Sequence, residues 1–229
     1  MMEQSPTNAV SGVTLSRAEL EDHLAQGVRR FEGCAFDDED LSRLDLQGCV
    51  FERCTFAGAS LFASKLARSH WLRCRAGGAD LESVDAVDAR FDGCDLNNSK
   101  WRRSKLASVA FHGCKLTGAS FEEVSHLGIH FEECLLVGAD MRGFTFRKAT
   151  LKELDFSDAY LSGCDFREAV FEGGSLRNAV LKLAKLQGAD LRGADIEGIK
   201  LTEGGLFKGA IISHAQAAAF LRELDLIVV

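Results

Sequence analysis

Leu186-Gln187-Gly188-Ala189-Asp190-Leu191-Arg192-Gly193-Ala194-Asp195-Ile196-Glu197-Gly198 repeats itself every five residues. The unit is small, polar, large apolar, polar, glycine, as in Ala189-Asp190-Leu191-Arg192-Gly193. Followed outward from there, every fifth residue between Phe31 and Ile211 gives a series of 37 centres, of which 34 are Leu, Ile, Met, Phe or Trp. The exceptions are Ala76, Ala86 and His126. Two residues before the centre stands Ala, Cys, Ser or Gly in 27 of 37 cases, and two residues after it fall 15 of the 22 glycines. The phase is expected to hold without a slip to Ile211.

A period of five matches neither the two-residue alternation of a strand nor the 3.6-residue turn of a helix. It matches a coil in which a small and a large side chain both point inward and a turn follows each pair, glycine easing the turn. Internal periodicity of this kind marks a solenoid, whose repeats stack and bury one continuous core.

The cysteines test the phase independently. Cys34, Cys49, Cys54, Cys74, Cys94, Cys114, Cys134 and Cys164 all fall on the small inward position, a coincidence with odds of roughly 10⁻⁵ if the phases were random. Cys34, Cys54, Cys74, Cys94, Cys114 and Cys134 are spaced by twenty. Four pentapeptides per turn follow, giving a square cross-section with a column of thiols. Phe31, Phe51, Trp71, Phe91, Phe111 and Phe131 form a second column, an expected aromatic ladder. The fold class is therefore all-β, a quadrilateral β-helix of about nine coils, about 45 Å long at the spacing of hydrogen-bonded strands. One proline, Pro6, in the whole chain suits a wall in which each coil donates N–H groups to the next.

Three segments are expected: a tail and short capping helix over 1–28, the β-helix over 29–213, and a helix with an apolar tail over 214–229. Ser16-Arg17-Ala18-Glu19 is a capping box that opens a helix to about Gly27, with Leu20 and Leu24 on one face. The stretch from Met1 to about Thr14 is expected to be disordered. Ser213-His214-Ala215-Gln216 is a second capping box. Beyond it Ala217, Phe220, Leu221 and Leu224 share a face, and the chain ends in Leu226-Ile227-Val228-Val229. This apolar excess either caps its own coil or joins two copies end to end, and Ala217, Phe220, Leu221, Leu224, Leu226, Ile227 and Val228 are the candidate dimer contacts.

The interior so described has no room for catalysis. The cysteines read as buried structural thiols rather than ligands or disulfides. His126 and His130 have the spacing of a helical metal pair, but in this coil one faces in and the other out; His126 reads as a packing irregularity. No phosphate loop or dinucleotide fingerprint occurs. The expectation is a protein that is not an enzyme and takes no cofactor. No stretch approaches the roughly 18 apolar residues of a membrane span, and the N-terminus lacks the pattern of a signal peptide. A cytoplasmic setting without membrane contact follows. The net charge of −7 argues against direct nucleic-acid binding.

Function must then lie on the outside, and the twenty-residue period sorts outer residues by face. The thiol face carries Asp37, Asp38, Asp95, Asp155, Asp158, Asp195 and Glu197 against Arg75, Lys115 and Arg177. The face centred on Leu46, Leu66 and Phe166 is the reverse, with five acids to eight bases. Lys100, Arg102, Arg103, Lys105 and Lys115 form a basic belt with no acid between Asn97 and Ser120.

The repeat region resembles the pentapeptide repeat proteins, whose fold is a right-handed quadrilateral β-helix. Asp38-Glu39-Asp40-Leu41-Ser42-Arg43-Leu44 is similar to the early coils of the MfpA-type fluoroquinolone-resistance branch of that family. Leu127-Gly128-Ile129, with Cys134 and Gly138-Ala139-Asp140, resembles the middle of the Qnr-type branch, and Gln216-Ala217-Ala218-Ala219-Phe220 resembles the dimerisation helix of both. The resemblance implies a DNA-mimicking homodimer that binds DNA gyrase or topoisomerase IV and reduces sensitivity to quinolones or a related poison. A duplex of about 90 Å carries roughly 53 phosphates, against twice −7 for two copies of this chain, so mimicry can hold only locally, on the acidic face. The other reading is a scaffolding repeat protein with an unrelated protein partner.

Overall fold

The computed structural model describes residues 9–199 and 206–223, in two compact units divided after His130. Together they make about eight turns of a parallel β-solenoid with two short helices. The expected nine included the repeat at Leu201, which lies outside the described residues.

In the first unit the ladder runs β1 (Ala9–Ser11), β2 (Arg30–Glu32), β3 (Val50–Glu52), β4 (His70–Leu72), β5 (Arg90–Asp92) and β6 (Ala110–His112), each parallel to the next. From β2 onward the register advances by twenty, pairing Phe31 with Phe51, Phe51 with Trp71, Trp71 with Phe91 and Phe91 with Phe111. Single-residue bridges mark the other three walls, such as Asp40 with Ser60 and Asp45 with Lys65. β7 (His130–Glu132) lies at the division between the units. In the second unit β8 (Thr150–Lys152) pairs with β9 (Val170–Glu172).

Ala9–Ser11 belongs to the ladder, Val10 facing Phe31. The tail expected to be disordered as far as Thr14 is therefore ordered from Ala9. Its first rung skips the pentapeptide pattern because α1 (Arg17–Ala25) replaces the remainder of that turn. The capping box forms as read: the Ser16 N–H donates to Glu19 Oε2 at 2.8 Å and the Glu19 N–H to Ser16 Oγ at 3.5 Å. Leu20, on α1, is fully buried.

Most corners outside the strand wall are β-turns closed by the N–H of the small residue on the carbonyl of the centre three before it, as Cys49 on Leu46 at 3.1 Å. The residue two past the centre takes a left-handed conformation, glycine or not, at almost every corner described, Gly193 being an exception. Nineteen non-glycine residues do so, among them Arg53, Ala63 and Asp158. A left-handed residue with a side chain costs about 1–2 kcal/mol. The ladder on either side of each corner holds it there.

Within the core, Phe31, Phe51, Trp71, Phe91 and Phe111 stack with ring centroids 5.4, 4.6, 5.6 and 5.0 Å apart in succession. Ala76 and Ala86 share a coil with Trp71, so the large ring is matched by small centres at constant core volume. Both indoles are satisfied internally: Trp71 Nε1 donates to Ser69 Oγ at 2.9 Å and Trp101 Nε1 to Ser99 Oγ at 2.8 Å.

All eight cysteines are free and buried. The thiols of Cys54, Cys74, Cys94 and Cys114 point at carbonyls one coil back, on Phe31, Phe51, Trp71 and Phe91, at 3.2–3.4 Å. Burial pushes the Cys49 thiol up to about 11 and the Cys164 thiol to about 12, so neither is a thiolate near neutral pH.

The phase does slip once. Asp190 bridges Ile211, twenty-one residues on, and the Ala210 N–H donates to Phe207 in the way Ala189 does to Leu186. From Leu206 onward the described register is therefore twenty-one rather than twenty, and Ile211, expected as an inward centre, is 47% exposed.

α2 (His214–Glu223) follows. Its capping box also forms, the Ser213 N–H donating to Gln216 Oε1 at 2.7 Å and the Gln216 N–H to Ser213 Oγ at 3.2 Å. Gln216 Nε2 then donates to the carbonyls of Leu191 and Ala194, each at 2.8 Å. One side chain thus caps the helix and satisfies two carbonyls of the last coil.

Candidate partner-binding surface

Side chains reach solvent from three places in each pentapeptide: the bridge residue and the two turn residues that follow the centre. Neighbours along a wall are thus twenty apart in sequence, and charges must be paired on that spacing.

On the thiol face of the first unit the bridge residues run Ala35, Thr55, Arg75, Asp95, Lys115. Asp37 accepts from the Ala57 N–H at 2.7 Å and the Thr55 hydroxyl at 2.8 Å, and Asp95 from the Asn97 N–H at 3.2 Å. Asp38 sits at a left-handed corner. These three carboxylates share their face with Arg75 and Lys115, leaving little excess of negative charge.

The second unit differs. Its column runs Leu135, Asp155, Ser175, Asp195. Asp155 accepts from the N–H and the hydroxyl of Ser157, at 2.9 and 2.5 Å. Asp195 accepts from the Glu197 N–H at 3.0 Å and from Arg177 Nε at 3.0 Å, and Glu197 also pairs with Arg177. The Glu197 N–H, aided by Arg177, holds the Asp195 carboxyl below the usual range. Asp155, Asp158, Asp195 and Glu197 thus stand against Arg177, which makes this the acidic part of the surface.

It also adjoins the C-terminal helix. Asp195 and Glu197 line a cleft of about 280 Å³ together with Ala194, Ile196 and, from α2, Ala215, Gln216, Ala219 and Phe220. Two sets of residues singled out separately, the acids and the helix, meet there. Phe220, expected at a dimer contact, is 7% exposed and packs on Phe207 with centroids 6.3 Å apart. Ala217 is half-buried, whereas Leu221 is 40% exposed. Leu224, Leu226, Ile227 and Val228 lie outside the described residues.

Of the expected basic belt, three of the five bases are paired, and Lys100 and Lys115 form no ion pair among the described residues. Arg102 and Arg103 pair with Glu122 and Glu123, and Lys105 with Asp85 at 3.1 Å, all across neighbouring coils. The face rich in bases is paired likewise, through Lys65 with Asp45, Arg147 and Lys148 with Glu168, and Arg167 with Asp165. Half-buried His126 turns Nδ1 toward the Val124 carbonyl at 3.4 Å, a ring contact made within its own corner. Among the described residues no helix is long and apolar enough to cross a membrane.

Residues 29–101 and 45–121 match the family model of a pentapeptide repeat region, and residues 128–163 and 164–202 match that of pentapeptide repeats in eight copies. No curated protein matches the chain. Among solved structures, trypsin-treated QnrB1 M102R, a plasmid-mediated fluoroquinolone resistance protein, is similar at 21% identity and a TM-score of 0.74, covering 85% of this chain and 97% of its own. Full-length QnrB1 is similar at 17% identity and a TM-score of 0.71, over 96% of this chain and 100% of its own. HetL of Nostoc sp. strain PCC 7120, involved in heterocyst differentiation regulation, is 21% identical over 86% of this chain and 94% of its own, at a TM-score of 0.37.

Proposed function

The chain belongs to the pentapeptide repeat family, and on that footing we propose that it is a cytoplasmic protein that binds a type II topoisomerase and reduces its sensitivity to quinolones or a related poison. The carrying observation is the set of carboxylates Asp155, Asp158, Asp195 and Glu197 on one wall, of which Asp195 and Glu197 line a cleft with α2. Carboxylates at fixed spacing on a stiff wall offer a basic DNA groove what phosphates offer it, and complementarity of this kind sets encounter and register. Kinship of fold with a fluoroquinolone resistance protein supports the reading. DNA gyrase and topoisomerase IV are the partners it names. The protein acts by occupying a surface, with no chemistry and no cofactor of its own.

The test is a gyrase supercoiling assay with ciprofloxacin and micromolar protein. Supercoiling is expected to be restored and drug-induced cleavage reduced. Asp155→Arg with Asp158→Arg is expected to weaken the effect about tenfold, since both sites are solvent-facing and the reversed charges oppose a basic groove. Unchanged supercoiling and cleavage with the unaltered protein would remove the proposal.

The same reading makes the working form a homodimer joined at the C-terminal end. Exposed Leu221, rather than buried Phe220, is the described residue free to meet a second copy. Leu221→Asp is expected to halve the mass measured by light scattering while leaving the circular dichroism of the solenoid unchanged. A mass unaffected by Leu221→Asp, or already monomeric without it, would count against this interface.

One observation favours the rival, a scaffold with an unrelated partner: in the first unit the acids of the thiol face are offset by Arg75 and Lys115. A pull-down from bacterial lysate separates the two, according to whether topoisomerase subunits are recovered.

A further inference from the structure

The corner line of the first unit that runs beside the thiol column reads Gly33, Arg53, Arg73, Gly93, Gly113. All five hold the left-handed turn conformation, so they are geometrically equivalent places one coil apart. Where the line changes from arginine to glycine the wall opens. A cleft of about 230 Å³ lies there, bounded by Arg73, Arg75 and Lys115, with Asp95 on its rim. Its floor is formed at Cys74 and Cys94, whose thiols are 1% exposed and turned toward carbonyls of Phe51 and Trp71.

The three cations are what distinguish this cleft. Arg53, one place down the same corner, is consumed by Glu32 and Glu52. Arg73, Arg75 and Lys115, by contrast, form no ion pair among the described residues. Asp95 lies between Arg75 and Lys115 in the bridge column and is engaged by the Asn97 N–H. Asp92, in the strand beside Gly93, is held by His70 Nε2 at 2.5 Å. Three cations without ion pairs therefore line one notch against one carboxylate.

The two glycines make the space. A Cβ on Gly93 would lie 3.6 Å from Arg73 Cγ, and one on Gly113 4.0 Å from the Gly93 Cα. Each would fit, so these glycines are not required by packing, and arginines occupy the same place in the two coils before.

We infer that this notch binds a single phosphate group, as the free ion or as a phosphomonoester. Its volume matches about eight waters at about 30 Å³ each, room for one phosphate and a partial hydration shell but not for a run of nucleic-acid backbone. Arg73 and Arg75 supply planar, multidentate donors and Lys115 a point charge, the mixture that suits a tetrahedral oxyanion. The inference stands apart from the topoisomerase reading and uses a different unit of the molecule.

The test is titration of the ¹⁵N-labelled full chain with inorganic phosphate, ionic strength held constant with chloride, followed by methyl phosphate in a second arm. Saturable shifts at the Gly93 and Gly113 amides are expected, with a millimolar Kd. Arg73→Gln with Lys115→Gln is expected to weaken binding about tenfold, and Asp95→Asn to tighten it about threefold. Gly93→Asp is expected to abolish binding without unfolding, because Asp38, Asp88 and Asp158 adopt the same corner conformation elsewhere. Equal affinity for methyl phosphate would assign the site to monoesters, and preference for inorganic phosphate to the free ion. Non-saturating shifts, shifts reproduced by chloride, or a Kd unmoved in the double variant would overturn the inference.

Discussion

Trp71→Ala is expected to lower the stability of the first unit by about 3–5 kcal/mol, the range for emptying a large aromatic site that cannot collapse. Trp71 is 1% exposed and its ring lies 4.6 Å from Phe51, 4.7 Å from Phe56 and 5.6 Å from Phe91. The walls on all four sides are hydrogen-bonded to the coils above and below, so they cannot close on the void. Truncation also strands the buried Ser69 hydroxyl, which accepts the indole N–H.

The loss has a location, because each coil contacts only its neighbours and stability is close to a sum of adjacent interfaces. Amide exchange is expected to accelerate first across β3, β4 and β5. Trp71→Phe keeps the stack, whose other rungs are phenylalanines, and is expected to cost about 1.5 kcal/mol or less. Urea melts of the two variants, read on the fluorescence of the remaining Trp101, check both values. A Trp71→Ala cost below about 1 kcal/mol would mean that the ladder is not what holds these coils together.

What could be read from the sequence was whatever obeys a fixed spacing. The inward phase as far as Ile199, the thiol column, the stacked rings from Phe31 to Phe111 and both capping boxes are repeats or local motifs, and these appear where the spacing puts them. The slip after Ile199 escaped notice for a definite reason. Leu206-Phe207 and Ile211-Ile212 are apolar doublets, so an apolar residue meets the five-residue count before and after the insertion. The bridge from Asp190 to Ile211 and the hydrogen bond from Ala210 to Phe207 tell the two phases apart.

The charges were misjudged for a related reason. No acid lies between Asn97 and Ser120 along the chain, yet the neighbour that matters is one coil away, where Arg103 finds Glu123 at 2.9 Å. The same spacing leaves Arg73 and Arg75 without partners. The meeting of Asp195 and Glu197 with α2 was illegible because it depends on where a helix folds back onto the coil. Gln216 makes that choice through two backbone carbonyls that carry no sequence signature.

Gly174→Ala is expected to be the most damaging single methyl that can be added to the second unit. Gly174 occupies the small inward position, where alanine, serine and cysteine are otherwise at home, and the reason it cannot be alanine lies one coil away. Leu154 fills the equivalent position with a large side chain, and its backbone runs close: a Cβ on Gly174 would fall 2.1 Å from the Leu154 carbonyl oxygen, 2.7 Å from its nitrogen and 2.8 Å from its carbonyl carbon. Those are backbone atoms and cannot rotate aside. The same carbonyl accepts the Ser175 N–H at 2.9 Å, so displacing it breaks a rung of the ladder.

Gly174 also has φ +77°, a conformation that costs an alanine about 1–2 kcal/mol before any contact is counted. With overpacking at about 1–3 kcal/mol, a loss of about 3–5 kcal/mol is expected in calorimetric or denaturant melts. Gly163→Ala isolates the first contribution, since Gly163 has φ +74° and nothing within 4 Å of its added methyl. If the two variants melt alike, the close approach at Leu154 is not real and left-handed strain accounts for both. If Gly174→Ala falls well below Gly163→Ala, the difference measures how little room one coil leaves the next when a leucine stands where the wall requires a small residue.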